Sequence, residues 1–231
     1  MLRSTHAYAS SPRTLPLIPL VALALGCALS IPSAWSQTPP PAPGTTPAAR
    51  SGEPATRPAP TPQRRPHGTK VTVDPARVTV DDGDTAIIRW SESEAETVRF
   101  LGIDTPETRH PQHDLPYAQP FGPEARAFGQ GAFAAAERIE LLRSATLDPF
   151  RRTLGYFFLN GRNYSVLVVR ARLAEESVTR YGDNGLPAPA AEVMAAAKEA
   201  GPLPFESPGD FRRRMRDVSR WMKSRAMTAE E

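Results

Sequence analysis

The feature that most limits what this chain can fold into is where its prolines fall. Ten of its 26 prolines lie between Thr38 and Pro66, in a stretch with no large apolar side chain. Proline removes a backbone donor and fixes φ, and without apolar mass there is nothing to bury, so such a segment favours solvated polyproline-like extension. We read residues 37–67 as a spacer. Its Arg50, Arg57, Arg64 and Arg65 either touch an anionic surface or keep the spacer solvated.

Upstream of the spacer, Arg3 and Arg13 occur with no acidic residue, followed by the apolar run LPLIPLVALALGCALSI from Leu15 to Ile31. Ala34-Trp35-Ser36 then supplies small residues at −3 and −1 of a cleavage point. This order of parts is that of a secretory signal over residues 1–36, which gives an exported protein, secreted or periplasmic, with no stable membrane span in the mature form. The alternatives are a membrane anchor, for which the run holds Pro16 and Pro19 and is short, and lipidation at Cys27, where Ala24 and the continuing apolar run break the usual pattern. Cys27 is the single cysteine. Cleavage after Ser36 therefore leaves a chain without disulfide or thiolate chemistry.

Residues 68–231 hold the foldable material. Residues 1–70 carry seven of the 28 basic side chains and one of the 25 acidic ones, which leaves 21 against 24 and a net of −3 for residues 71–231. The high isoelectric point is a property of the N-terminal part. A polyanion would have to be met by local cations and a metal, not by a broad positive field.

Val71, Val73, Val78 and Val80 alternate with polar residues around Pro75, which predicts a strand interrupted by a bulge or turn. Asp81-Asp82-Gly83-Asp84 is a turn, and Thr85–Trp90 the returning strand. Val98–Ile103, Arg138–Leu142 and Leu154–Leu159 read as further strands, the last ending in an Asn160-Gly161 hairpin. Pro123 to Glu137 reads as a helix with proline and glutamate in its first turn. Ala190–Ala200 and Asp210–Arg225 read as two more, and Val166–Ala174 suits either strand or helix. The sum is an α+β domain at residues 68–205, a five-stranded antiparallel barrel with packed helices, followed by a C-terminal amphipathic helix within residues 206–231. That helix puts Phe211, Met215, Val218 and Met222 on one stripe, with Arg212, Arg213, Arg216 and Arg220 mostly off it. We expect the stripe to pack on the domain. A nucleic-acid-gripping arm and a membrane-surface helix are the other readings.

Asp84 and Asp104 fall at the ends of neighbouring strands, and Glu107 follows three residues later. Carboxylates without nearby His or Cys favour Ca²⁺ or Mg²⁺ over zinc. Arg99 and Arg152 could reach the same cleft. Metal, carboxylate base and two guanidinium groups suit phosphodiester hydrolysis, because cations neutralise charge developing on phosphate while a carboxylate activates water. Spacing alone leaves open the reading of solvated loop carboxylates.

Four segments in order resemble the staphylococcal nuclease family. They are Val80-Asp81-Asp82-Gly83-Asp84-Thr85, the run from Val98 to Thr108 containing Asp104-Thr105-Pro106-Glu107, Phe121-Gly122-Pro123-Glu124-Ala125, and Asp148 to Gly155. The resemblance implies an OB-type barrel with helices. It implies one Ca²⁺ ion held by the side chains of Asp84 and Asp104 and the carbonyl of Thr105. Glu107 would be the general base, and Arg99 and Arg152 would hold the scissile phosphate. Phe150, Arg151, Leu154 and Tyr181 fall at substrate-binding positions. The implied enzyme is a monomeric endonuclease acting on DNA or RNA, single strands for preference, and leaving 3′-phosphate ends. The alternative is a catalytically silent module that binds nucleic acid or a protein partner.

The chain also departs from the family. Pro149-Phe150 stands where the family has Lys-Tyr, Arg151 replaces a glycine, Val178 and Arg180 align with a tyrosine pair, and Ser165-Val166 replaces Asn-Glu. His110–Pro120 is an insertion read as a flexible substrate-side loop, with His110 and His113 as solvated residues or metal ligands.

Overall fold

The computed structural model describes residues 59–225 and Met227, so the expected export signal and the spacer as far as Pro58 lie outside the described residues. The described chain begins with β1 (Lys70–Val73), then a 3₁₀ turn (Pro75–Arg77), β2 (Val78–Asp82), β3 (Thr85–Arg89), β4 (Ala95–Phe100) and β5 (Ile103–Asp104). After a second 3₁₀ turn (Pro111–His113) come α1 (Gly122–Ala134), β6 (Ile139–Leu147), β7 (Thr153–Leu159) and β8 (Arg162–Asn163). The rest is α2 (Tyr164–Arg170), β9 (Glu175–Glu176), α3 (Val178–Tyr181), α4 (Pro187–Ala200) and α5 (Pro208–Ser224). None of these helices is long and apolar enough to cross a membrane.

The fold is α+β, as its sequence pattern indicates, but the expected five-stranded barrel is not closed. The main sheet runs β1-β6-β7-β4-β3-β2, with β8 also on β7, while β5 and β9 form a separate pair. The reason lies at Pro75. Asp74 accepts a hydrogen bond from the Ala76 amide at 3.0 Å and caps the 3₁₀ turn. The interrupted strand therefore becomes two strands that end at opposite edges, β1 on β6 and β2 on β3. Nor is the sheet wholly antiparallel, since β4 and β7 pair in parallel, Arg99 opposite Leu154.

The tail of the segment read as spacer is part of the domain. The Gln63 amide donates to Ala145 O at 2.8 Å, the Leu147 amide to Thr61 O at 2.8 Å and the Gly68 amide to Arg143 O at 3.0 Å. Residues 61–68 thus extend the edge beside β6. Gln63 is buried and donates to Thr153 Oγ1 at 3.1 Å.

Alternation gives the sheet its buried face, with Val80, Ile88, Val98, Phe100, Ile139, Leu141 and Phe157 all in the core. Phe100 is its hub, 5.7 Å from the Phe133 ring, 5.1 Å from Phe157 and 5.2 Å from Tyr164. The ambiguous Val-rich run resolves as helix α2 because the Asn163 side chain accepts from the Ser165 amide and caps it.

Through the sheet runs one buried ion pair. Arg143 donates to Glu96 from Nε at 2.7 Å and from Nη2 at 2.8 Å, in a two-pronged geometry, with both side chains almost fully buried. Thr153 Oγ1 and Trp90 Nε1 donate to Glu96 at 2.7 and 2.9 Å, and Arg65 Nε lies 3.5 Å from its Oε2. Burial opposes the charged form of Glu96, but the bonds from Arg143 and Thr153 outweigh it and hold the carboxyl below its ordinary value.

The C-terminal helix packs as its stripe suggests. Phe211 and Met215 are buried with Leu115 of the His110–Pro120 insertion, and Val218 lies against them. Ser219 Oγ and Lys223 Nζ both bond Asp114 Oδ1, at 2.8 and 2.6 Å, and Gln119 Nε2 donates to Glu206 O at 2.7 Å. The insertion is therefore pinned between α5 and the domain.

Candidate active site

Two turns at one end of the sheet build the site. In the first, between β2 and β3, the Asp84 amide donates to Asp82 Oδ1 at 3.2 Å and Gly83 O accepts from the Tyr164 hydroxyl at 2.9 Å. This presents Asp84, 2% exposed, at the start of β3. In the second, β4 ends at Phe100 and Gly102 takes φ +81°, a left-handed conformation that reverses the chain into β5. The Leu101 amide donates to Gly155 O at 2.9 Å, and the buried Ser165 hydroxyl donates to Leu101 O at 2.8 Å. Ser165 is thus the anchor where the related pattern has Asn-Glu.

Arg99 sits on β4 opposite Thr85 and joins the two turns. Its Nη1 bonds Asp84 Oδ1, and its Nη2 bonds Asp104 Oδ1 at 2.7 Å. Asp84 Oδ2 accepts from the Thr105 amide at 3.0 Å. Asp84, Arg99, Asp104, Thr105 and Glu107, five residues singled out from sequence, are therefore brought into one cluster.

Glu107 is fixed by its backbone. Its amide donates to Gln119 Oε1 at 3.2 Å, and its carbonyl accepts from the Gln119 amide at 2.8 Å. Gly122, at the head of α1, approaches so closely that a Cβ there would lie 2.2 Å from Glu107 O. Glycine is required at that contact. Gly122→Ala is expected to displace the Glu107 segment and to cost about 1–3 kcal/mol of stability, as overpacking does, with a matching fall in Tm. An unchanged Tm would show that the segment yields without cost.

Arg212 of α5 was not among the residues expected here. It donates from Nη2 to Asp104 Oδ2 at 2.6 Å, from Nη1 to Asp104 Oδ1 at 3.1 Å, and from Nη1 to Glu107 Oε1. Its sequence carries no such signal beyond its place beside the buried Phe211.

Burial and charge set the protonation behaviour. Burial pushes the Asp84 carboxyl up, Asp82 and Asp104 add to this, and Arg99 opposes it. Asp104 is also buried, but Arg212 and Arg99 hold it below its ordinary value. Burial raises Glu107 in spite of Arg212. A carboxyl with raised basicity beside cationic groups is suited to proton abstraction.

The oxygen-only donor set of Asp84, Asp104 and the Thr105 carbonyl fits a hard divalent cation by its chemistry. In their present arrangement, no group of three or more His, Cys, Asp and Glu side chains among the described residues is placed to hold a metal ion. Guanidinium groups stand on these carboxylates instead.

Arg152 lies apart from this cluster. It immediately precedes β7 and is held by Asp148, with Nε to Oδ2 at 2.6 Å and the amide to Oδ1 at 2.7 Å. The parallel register puts Leu154 opposite Arg99, so Arg152, two residues earlier, shares the face of Arg99. Arg151 takes φ +64°, a left-handed conformation that glycine adopts more readily. Phe150 is 80% exposed. Phe150, Arg151 and Arg152 line a cleft of about 480 Å³ together with Arg64 and Arg65 from the segment beside β6. Leu154 packs against the core. Tyr181, 60% exposed, lines a separate recess of about 220 Å³ with Asp104 and Arg180. His110 bonds Thr108 Oγ1 at 2.7 Å and takes no part in the acidic cluster.

Comparison with known proteins gives matches over the same region. Residues 97–201 match the family model described as staphylococcal nuclease homologue. Thermonuclease of Staphylococcus intermedius is 35% identical over 96 residues, 41% of this chain and 54% of that protein. SPbeta prophage-derived endonuclease YokF of Bacillus subtilis is 30% identical over 115 residues, 46% of this chain and 38% of that protein. Endonuclease YncB of the same organism is 29% identical over 115 residues, 46% of this chain and 53% of that protein. The chain thus spans about half the length, or less, of these relatives.

Proposed function

We propose that residues 97–201, which match the staphylococcal nuclease homologue model, belong to that family, and that the chain is an exported, calcium-dependent nuclease that hydrolyses phosphodiester bonds of DNA or RNA and leaves 3′-phosphate ends. The observation that carries the reading is the buried cluster in which Arg99 joins Asp84 to Asp104 beside Glu107.

A calcium ion held by Asp84, Asp104 and the Thr105 carbonyl would supply positive charge at the scissile phosphate and a site for water. The chain's own groups do the rest. Glu107, held in place through its backbone by Gln119, takes the proton of the attacking water. Arg99, on the face it shares with Arg152, donates to the phosphate oxygens as charge builds on them. The bond to the 5′-oxygen breaks, that oxygen takes a proton from solvent to become a hydroxyl, and the phosphate stays on the 3′ side. End-group analysis tests this chemistry. Fragments of denatured DNA should resist 3′ extension by a polymerase until treated with phosphatase, whereas direct extension would contradict the reading.

The substrate strand follows the 480 Å³ cleft from Arg152 past Phe150, an exposed ring on which a base can stack. Arg64 and Arg151 line that cleft, and neither guanidinium forms an ion pair with the described residues. This local charge stands in for the Lys-Tyr pair that Pro149-Phe150 replaces. For Arg64→Ala/Arg151→Ala, the salt dependence of single-stranded DNA binding should lose about 0.7 in log–log slope per arginine. An unaltered slope would remove the cleft from the substrate path.

A further inference from the structure

Arg212 lies outside residues 97–201, on a helix that the family match does not cover. Its position is fixed from three sides. The Ser207 hydroxyl at the head of α5 donates to Glu175 Oε2 at 3.0 Å. Phe211, beside it in sequence, is buried with Leu115, and the Gln119 side chain that meets the Glu107 amide also bonds Glu206 O just before the helix. The guanidinium is thereby aimed at Asp104 and Glu107, two of the three acidic groups that the proposed reaction uses.

Its bonding there is complete rather than incidental. One fork covers both oxygens of Asp104 and reaches Glu107 Oε1 as well. Each carboxylate oxygen offers two lone pairs. Asp104 Oδ1 spends both, on Arg99 Nη2 and Arg212 Nη1. A divalent ion brought to Asp104 would meet a like charge in direct contact with its ligand. The Arg212 side chain is 28% exposed, so its flexible stem can swing toward solvent while α5 stays in place.

We propose that Arg212 is the resident counter-cation of the acidic site. In the metal-free protein it neutralises Asp104 and positions the Glu107 carboxylate, and it leaves Asp104 when a divalent ion binds, so that α5 sets the metal affinity. This rests on the nuclease reading, because it takes Asp104 as a metal ligand and Glu107 as the base. Arg212 is a positioning residue in this account, acting through these two carboxylates.

Calcium titration of the full chain by calorimetry tests it. Arg212→Gln should bind Ca²⁺ at least tenfold more tightly than the unmodified protein, and Arg212→Lys, which keeps charge but loses the fork, should fall between them. Equal or weaker binding by Arg212→Gln, with binding still abolished by Asp104→Asn, would overturn the counter-cation role and leave the metal centre standing. Absence of calcium binding in every form would overturn both. A calcium-bound crystal structure of the unmodified protein gives a second test, independent of whether the variant folds. The 2.6 Å bond from Arg212 Nη2 to Asp104 Oδ2 should be open there, and an intact bond beside a bound ion would overturn the proposal.

Discussion

Glu107→Gln is expected to lower the single-turnover rate of DNA cleavage by about 10²–10⁴-fold, the range for loss of a general base. Glutamine keeps the shape of the side chain and can still accept from Arg212, and the contacts that fix this segment come from the Glu107 backbone and Gln119. Stability should therefore change little and DNA affinity should hold. The lost function is narrower: an amide cannot take the proton of water at neutral pH. A fall of less than tenfold at saturating calcium would mean that another group removes the proton.

The largest effect on stability is expected at Arg143. Arg143→Met would leave Glu96 charged, 3% exposed and without its two-pronged partner, with only the half-buried Arg65 Nε at 3.5 Å as a cation, and breaking a buried pair in this way costs about 3–5 kcal/mol. The pH dependence has a definite sign. In the unmodified protein the Glu96 carboxyl sits below its ordinary value, so its contribution is present above the unfolded pKa and is lost as pH falls through the folded one. In the variant, burial acts with no Arg143 to oppose it, so Glu96 takes up a proton more readily and the penalty shrinks on acidification. Urea unfolding of both proteins, followed by tryptophan fluorescence, should show a gap at neutral pH that narrows near pH 4. A gap of less than 1 kcal/mol at neutral pH would contradict this role for the pair.

Much of the fold is legible because local rules decide it. Pro123 and Glu124 start α1, the Asn160-Gly161 turn ends β7, and the stripe of Phe211, Met215 and Met222 is the face that α5 buries. The open sheet was not legible, since closure depends on which edge β1 and β2 each find after the turn at Pro75. Neither was the docking of residues 61–68. Proline richness argues for a spacer there, yet extended backbone is also what an edge beside β6 accepts, and Gln63 supplies the buried anchor.

The candidate site divides in the same way. Asp84, Arg99, Asp104, Thr105 and Glu107 come from two turns that sequence alone marks, and they meet. Arg152 instead lines a separate cleft, tied to Asp148, while exposed Tyr181 reaches the cluster only at the rim of a recess that includes Asp104. Arg212 reaches Asp104 across 108 positions of sequence, and only tertiary packing of α5 on the insertion makes that pair.

The central claim is that this cluster hydrolyses nucleic acid with a metal ion. Its most direct test is incubation of heat-denatured DNA with the purified protein, in calcium or in excess chelator. The expected result is cleavage in calcium that chelator abolishes. DNA that remains bound but uncut under every divalent metal would contradict the claim and leave a nuclease-like module that only binds its nucleic acid.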